Sequence, residues 1–85
     1  DATVLYQDQK LELSKNEFKI LQILLENTGT IVSRESIMTR LWDSNEFIDD
    51  NTLTVNVARL RKKMEQIGLG GKIITKKGIG YMVEA

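Results

Sequence analysis

The stretch DDNTLTVNVARLRKKMEQIG, residues 49–68, decides how this chain folds. Its apolar residues recur at spacings of four and three, which predicts a helix with one buried stripe. That stripe consists of Leu53, Val57, Leu60, Met64 and Ile67. Asp49 or Asp50 can cap the start of the helix, where a carboxylate also suits the positive end of the helix dipole. We therefore expect one amphipathic helix over residues 50–67.

The opposite face of this helix suggests a function. Val55 lies roughly 160–200° from the buried stripe, at about 100° per residue, in line with Arg59. An arginine can donate two hydrogen bonds to guanine O6 and N7, and a small apolar side chain can pack on a thymine methyl group. We therefore expect Val55 and Arg59 to contact bases in a DNA major groove. The neighbours that could reach phosphate oxygens are Asn51, Thr52, Arg61 and Lys62.

Charge is distributed unevenly along the chain. Its 12 basic and 12 acidic residues give a net charge of zero. Residues 1–58 hold five basic and ten acidic side chains, whereas residues 59–77 hold seven basic side chains and one acidic side chain. The local field, not the net charge, decides whether one face attracts a polyanion. The basic C-terminal third is therefore compatible with nucleic-acid binding.

Composition disfavours other classes of function. The chain has no cysteine and no histidine, so disulfides, the usual zinc ligands and the commonest general base are missing. No apolar run approaches the ~18–20 residues that span a membrane. The segment GLGGKIITKKGIG lacks the spacing of a phosphate-binding P-loop. We expect no catalysis, metal, cofactor or membrane span, and a reducing cytoplasmic location.

The residues before the long helix predict strands and two further helices. ATVLY and KLELS are extended segments around the polar turn QDQ. Ser14 and Glu17 form a capping box that starts a helix ending near Asn27. We expect this helix to be covered on two sides, burying Phe18, Ile20, Leu21, Leu24 and Leu25. TIV can add an isolated strand, and Ser33 can cap a helix over residues 34–42 that buries Ile37, Met38, Leu41 and Trp42.

The C-terminal residues predict a basic hairpin. KIIT and YMVEA are strands joined by KKGIG, so the hairpin spans residues 73–83. Lys76 and Lys77 lie at the turn, while Gly78 and Gly80 can adopt positive φ or allow a close approach. A cationic hairpin tip can enter a minor groove, where the negative potential favours Lys and Arg.

Two helices joined by the short loop DSNEF, the second with a cationic outer face, predict a helix-turn-helix. Other interpretations remain open at this point. RLRKK can be a solvated helix end, the heptad-like stripe can be a short coiled coil, and the hairpin lysines can protect a sheet edge. A winged helix that binds protein without DNA is the main alternative function. Lys and Arg on the outer face, where a protein interface would favour aromatic residues, argue against it.

The sequence resembles the effector domain of the OmpR/PhoB family of response regulators, a winged helix-turn-helix. The resemblance covers LELSKNEFKILQILLEN, IVSRESIMTRLW, NTLTVNVARLRKKME and IITKKGIGYMV, with RLRKK and GIGY the most specific pieces. FIDDNTLTVNVARLRKK is further similar to the GraR/BceR-type subgroup, which implies a response to antimicrobial peptides and cell-envelope stress. The resemblance implies that residues 1–85 are a single α+β domain, and that a receiver domain and the first N-terminal strands lie outside it.

The resemblance also implies a role for individual positions. Val55 and Arg59 match positions that meet bases. Lys77, beside Lys76, matches the basic residue in the minor groove. The positions near the DNA backbone are Asn51, Thr52, Asn56, Arg61 and Thr75. The loop at residues 43–48 corresponds to one that can touch RNA polymerase, and family members bind tandem half-sites as dimers on double-stranded DNA. This chain has Asn51, Ala58 and Lys77 where arginine is common in the family.

Overall fold

A computed structural model describes residues 2–85 and has the predicted order of strands, three helices and a hairpin. The elements are β1 (Ala2–Tyr6), β2 (Gln9–Leu13), α1 (Lys15–Glu26), β3 (Val32–Ser33), α2 (Arg34–Asp43), α3 (Asp50–Glu65), β4 (Ile73–Lys76) and β5 (Gly80–Val83). The α+β fold predicted from the sequence is confirmed. None of the helices among residues 2–85 is both long enough and apolar enough to cross a bilayer.

Each helix begins at a side-chain cap, as the sequence predicts. The Ser14 hydroxyl accepts a hydrogen bond from the Glu17 amide, and the Glu17 carboxylate accepts one from the Ser14 amide. Ser33 caps α2 by accepting from the Ser36 amide. The N-cap of α3 is Asp49, not Asp50, and its carboxylate accepts a hydrogen bond from the Thr52 amide at 2.7 Å. These bonds satisfy amides that would otherwise lack a partner in the first helical turn.

The end of α3 is set by a glycine. Gly68 adopts a φ of 81°, which costs a residue without a Cβ little. The Gly68 amide donates to the Glu65 carbonyl and the Leu69 amide to the Met64 carbonyl, the paired bonds of a Schellman motif. Regular α-helix therefore ends at Glu65, and Ile67 completes the last turn before the chain reverses.

The core side of α3 is the predicted stripe. Leu53, Val57, Leu60, Met64 and Ile67 are all buried, in one cluster with residues from α1, α2 and the strands. Burying a large apolar side chain fully is worth about 1.5–3 kcal/mol. A rotation of α3 about its axis would expose part of this stripe, so the stripe fixes which residues face outward.

The buried face of α1 differs from the prediction in two residues. Phe18 and Leu25 are 38% and 53% exposed, whereas Ile23 is 1% exposed. At about 100° per residue the buried positions of α1 form a single arc, and Phe18 and Leu25 lie beyond its edge. The expectation that α1 is covered on two sides is therefore wrong at these positions.

Glu17 lies inside the buried arc of α1. It is 2% exposed, and its carboxylate accepts a 2.6 Å hydrogen bond from Lys63 on α3. Burial by itself raises the pKa of the Glu17 carboxyl, but bonds from Lys63 and Ser14 and the Lys63 charge outweigh burial. The pKa of Glu17 therefore lies below its ordinary value of 4.5. This ion pair joins the start of α1 to the last turns of α3.

The prediction for α2 also needs correction. Ile37 and Leu41 are fully buried, but Met38 is half-buried and Trp42 is 65% exposed. Trp42 instead packs edge-to-face on Phe47, with ring centroids 4.4 Å apart. The four apolar residues span roughly 140° of the helix at about 100° per residue, and the core contacts only one side of that arc.

The strand β3 is not isolated, contrary to the expectation. It pairs antiparallel with β5, which also pairs with β4, so the three strands form one sheet in the order β3-β5-β4. We call residues 73–83 the wing. Gly80 lies opposite Ser33, and a Cβ at Gly80 would approach the Val32 carbonyl oxygen and lie 2.8 Å from the Ser33 Cα. Only glycine allows the wing to meet β3 this closely.

We expect Glu17→Gln to lower the free energy of unfolding by about 1–3 kcal/mol at about pH 7, because hydrogen bonds to a charged group are lost. The folded-state pKa is depressed, so the carboxylate stabilises the fold above pH 4.5 and this contribution is lost as the pH falls through the lower folded-state value. Urea unfolding at a series of pH values should show the deficit of the variant shrinking in acid.

Glu26→Gln is the matched control, because Glu26 pairs with Arg40 at 2.9 Å while both side chains are 46% exposed. Its loss should stay within about 1 kcal/mol. If Glu17→Gln lost no more free energy of unfolding than Glu26→Gln, or lost the same amount in acid as at neutral pH, the assignment of Glu17 and Lys63 as a stabilising buried ion pair would be contradicted.

We expect Gly80→Ala to destabilise the fold by about 1–3 kcal/mol through overpacking against β3. Gly71→Ala is the control, since among residues 2–85, apart from its chain neighbours, no heavy atom lies within 4 Å of a Cβ at that position. Its loss of stability should stay within about 0.5 kcal/mol. Thermal and urea unfolding measure both variants. Equal stability of the two would show that β3 and the wing do not meet as described.

Candidate nucleic-acid interface

The outer face of α3 is built from the residues that the wheel position predicts. Val55 is 45% exposed, and Asn51, Arg59 and Lys62 are exposed. Val55 and Arg59 both lie on a free surface, one turn apart on the helix. An apolar group beside a guanidinium on one exposed helix face has the donor and contact chemistry that base edges require.

The wing presents a second cationic surface. Lys76 and Lys77 are exposed at the turn between β4 and β5, which the Ile79 amide closes on the Lys76 carbonyl at 2.9 Å. Gly78 supplies the positive φ of 76° that this tight turn requires. Both glycine roles anticipated for the hairpin are therefore present, with Gly78 at the turn and Gly80 at the close approach.

Cations on α3 divide into two groups according to their partners. Lys63 is paired with Glu17, and the Arg61 Nη2 donates to the Thr75 hydroxyl at 2.6 Å. None of the ion pairs found among residues 2–85 involves the remaining cations of the helix and the wing turn. Those cations are Arg59, Lys62, Lys76 and Lys77, and the charge of Arg61 is not neutralised either, because its partner Thr75 is neutral. Their uncompensated charges give this face its positive field.

Arg61 and Thr75, both expected near the DNA backbone, are brought together by the fold. The Arg61 guanidinium bridges α3 to β4, since it also donates to the Ile73 carbonyl at 3.4 Å. The Thr75 hydroxyl accepts from Arg61 and keeps its own hydrogen free to donate. This pair therefore fixes one side of the wing against α3 while leaving a donor at the surface.

Two other residues expected to contact the DNA backbone, Thr52 and Asn56, differ in how exposed their side chains are. Thr52 is half-buried, with its amide bonded to Asp49. Asn56 is 6% exposed, and its side-chain amide donates to the Thr52 carbonyl at 2.8 Å. The contact implied for Asn56 stays a prediction, and its burial does not favour it.

Arg34, at the first position of α2, is a residue that the sequence analysis missed. Its guanidinium donates to Asp50 and Thr54 on α3 and to Tyr81 on the wing. Burial by itself lowers the pKa of Arg34, but the partners Asp50 and Tyr81 outweigh burial and raise it above the ordinary value. A cation in the first turn is unfavourable to the helix dipole. That mismatch is the sequence signal that could have marked Arg34 for a tertiary role.

These elements define a winged helix-turn-helix: α2 and α3 are joined by a short loop, α3 turns a cationic face outward, and a hairpin lies beside it. Residues 8–83 match the family model described as "Transcriptional regulatory protein, C terminal". The chain belongs to this family, and it is a DNA-binding effector domain of the OmpR/PhoB type of response regulator. The family consists of non-enzymatic transcription regulator domains.

One similar regulator was found by sequence and another by structure. The response regulator protein GraR of Staphylococcus aureus (strain MRSA252) is 56% identical over 75 residues, which covers 88% of this chain and 34% of GraR. The chain thus spans about a third of the length of that curated relative. The C-terminal domain of the nisin resistance regulator NsrR, a lantibiotic response regulator, has a TM-score of 0.91 at 44% identity, covering 98% of this chain and 84% of that one.

A further solved structure shows a similar domain with DNA. The Klebsiella pneumoniae RstA DNA-binding domain, in complex with the RstA box, has a TM-score of 0.78 at 26% identity. The match covers 96% of this chain and 82% of that one.

Proposed function

We propose that this domain binds specific sequences of double-stranded DNA, with α3 in the major groove and the wing at the adjacent minor groove. The observation that carries the proposal is the outward face of α3, where exposed Val55 and Arg59 lie among cations that have no ion-pair partner within residues 2–85. The structure of RstA with its DNA box supports this use of a similar domain.

Specific residues take distinct parts in this proposal. Val55 and Arg59 read base edges, because bidentate arginine and small apolar groups discriminate base pairs in the major groove. Lys76 and Lys77 enter the minor groove, where cations are favoured. The residues that hold the phosphate backbone are Asn51, Thr52, Arg61, Lys62 and Thr75.

The proposal extends to the protein that carries the domain. We infer that it is a cytoplasmic transcription regulator whose receiver domain controls this effector domain, and that it answers cell-envelope stress or antimicrobial peptides. The similarity to GraR and to a nisin resistance regulator supports this inference. Two copies would occupy tandem half-sites as a dimer on DNA.

The loop at residues 43–48 supports a further proposed partner, RNA polymerase. Phe47 in this loop is 59% exposed and packs on the exposed Trp42 ring. Exposed aromatic side chains are enriched at protein interfaces. The alternative of a winged helix that binds only protein would place such aromatic residues on α3, whose outer face instead carries basic and polar side chains.

Selection from random duplexes with the unmodified chain, at a fixed salt concentration, tests the DNA-binding proposal. We expect it to recover a direct repeat whose half-sites lie about one helical turn, roughly 10 base pairs, apart. The Arg59→Ala variant, run in parallel, should recover a weaker preference at one position of each half-site. If no sequence is enriched, the domain does not read bases and the proposal fails.

On the recovered duplex, Arg59→Ala should weaken binding by roughly 1–3 kcal/mol because a base contact is lost. Lys77→Ala should instead weaken all duplexes alike and reduce the salt slope by about one, as expected for a phosphate-proximal charge. Fluorescence anisotropy over a salt series measures both effects. Arg40→Ala is the charge-matched control, since Arg40 pairs with Glu26 on α1. Equal behaviour of Lys77→Ala and this control would remove Lys77 from the interface.

A further inference from the structure

The Arg34 guanidinium is anchored to the start of α3. Its Nε donates to the Asp50 carboxylate at 3.0 Å, and its Nη2 donates to the Asp50 carbonyl and to the Thr54 hydroxyl, both at 2.7 Å. All three acceptors lie in the first turns of the helix assigned to the major groove. These bonds are charge-assisted, which makes them roughly twice as strong as bonds between neutral groups.

The same guanidinium is bonded to the wing. Its Nη1 donates to the Tyr81 hydroxyl at 2.6 Å, and its central carbon lies 5.7 Å from the centroid of the Tyr81 ring. Tyr81 is 4% exposed in β5, so it is packed in the core and offers Arg34 an acceptor in a fixed position. The Arg34 amide also donates to the Ile79 carbonyl at 3.1 Å, next to the wing turn.

We propose that Arg34 is a positioning residue that couples α3 to the wing, so that both reach their grooves as one rigid unit. The proposal rests on the proposed DNA-binding function, and it gives Arg34 a role that acts through Asp50 and Tyr81 rather than through a DNA contact. The side chain is 23% exposed, and its bonds use most of the donors of a guanidinium. Lysine could not replace it, because three partners in different directions require the planar fork.

A rigid connection between α3 and the wing would affect binding, because the α3 contact in the major groove and the wing contact in the minor groove are made by one domain. When a second contact is held at the right distance by the first, it forms at a high effective concentration, and its contribution falls when the connection loosens. The β3–β5 pairing alone is two residues long. Loss of the Arg34 bond to Tyr81 would leave Arg61, on the β4 side, as the side chain that joins the wing to α3. The β5 side and the wing turn would then be held less rigidly relative to α3, and the Lys77 contact would contribute less to binding.

Tyr81→Phe tests the coupling with the smallest change, since it removes the hydroxyl and leaves the ring and the Arg34 bonds to α3. Tyr6→Phe is the matched control, because Tyr6 is the other tyrosine of the chain and is 37% exposed in β1. Both variants use the 85-residue chain and are compared with the unmodified sequence.

Hydrogen exchange without DNA is the first measurement. We expect Tyr81→Phe to speed exchange of the Arg34 amide, which is bonded to the wing, by about three- to tenfold, the effect of one hydrogen bond. Amides in the middle of α1 should be unchanged. Acceleration of all amides by the same factor would mean that the bond stabilises the whole fold equally, and the positioning role would be overturned.

Duplex binding is the second measurement. In the unmodified chain and in Tyr6→Phe, adding Lys77→Ala should weaken binding by about three- to tenfold. In Tyr81→Phe the same addition should cost less than about twofold, because an uncoupled wing already contributes little. A Lys77 penalty of equal size in all three backgrounds would refute the coupling.

Two outcomes separate this inference from the function on which it rests. If Lys77→Ala has no effect in the unmodified chain, the proposed wing contact fails, and the exchange of the Arg34 amide still decides whether Arg34 holds the wing. If Arg34→Gln lowers the salt slope by about one while Tyr81→Phe binds normally, Arg34 contacts phosphate directly and the positioning role is wrong.

Discussion

The buried stripe of α3 is the constraint on which the rest of the structure depends. Leu53, Val57 and Leu60 are at most 1% exposed and Met64 is 4% exposed, so the helix is seated on the core along most of its length. Turning it would expose apolar surface at about 25 cal/mol for each Å². The rotation that the core imposes leaves Val55 and the cations beside it at the surface. The exposed cationic face proposed to meet DNA therefore follows from packing on the opposite side of the helix.

Polar contacts then fix the position of α3 relative to its neighbours. Lys63 joins its last turns to Glu17 on α1, and Arg61 joins it to Thr75 on the wing. Arg34 adds a third connection at the start of the helix. Glu17 is buried, so leaving its charge without Lys63 would be costly, and this pair strongly disfavours alternative arrangements of α1 and α3. The bonds of Arg61 and Arg34 are more exposed and add direction to the contact between α3 and the wing. Core packing thus fixes the rotation of α3 about its own axis, and charged side chains fix its position beside the wing.

Because some charged side chains hold α3 in place, the basic segment at residues 59–77 has to be interpreted differently. The sequence shows seven cations in residues 59–77 as a single positive region. In the structure, the Lys63 charge is paired with Glu17, whereas Arg61 is hydrogen-bonded to the neutral Thr75 hydroxyl and keeps its charge. The pairing of Lys63 therefore removes part of the positive charge that a polyanion could meet. Local charge density therefore predicts the sign of the surface well, but it overstates how many side chains are free to contact DNA.

The sequence by itself determined the order of the elements and the buried face of α3. Helical periodicity, the caps at Ser14 and Ser33, and the glycines of the wing are local signals, because each depends on residues a few positions apart. The outward position of Val55 followed from the same periodicity. Local signals also located the candidate interface, since the cations and Val55 lie on one helix and one turn. The roles of those residues at a duplex remain proposals.

Only the tertiary structure decided the contacts between distant segments. Trp42 is exposed and Phe18 lies beyond the buried arc, because the neighbouring elements cover only one side of each helix. The pairing of β3 with β5 and the bonds of Arg34 join residues far apart in the chain. Such contacts leave no periodic pattern, since they depend on how packed elements meet in space. The sequence therefore specified which face of α3 points outward, whereas packing decided what holds that face beside the wing.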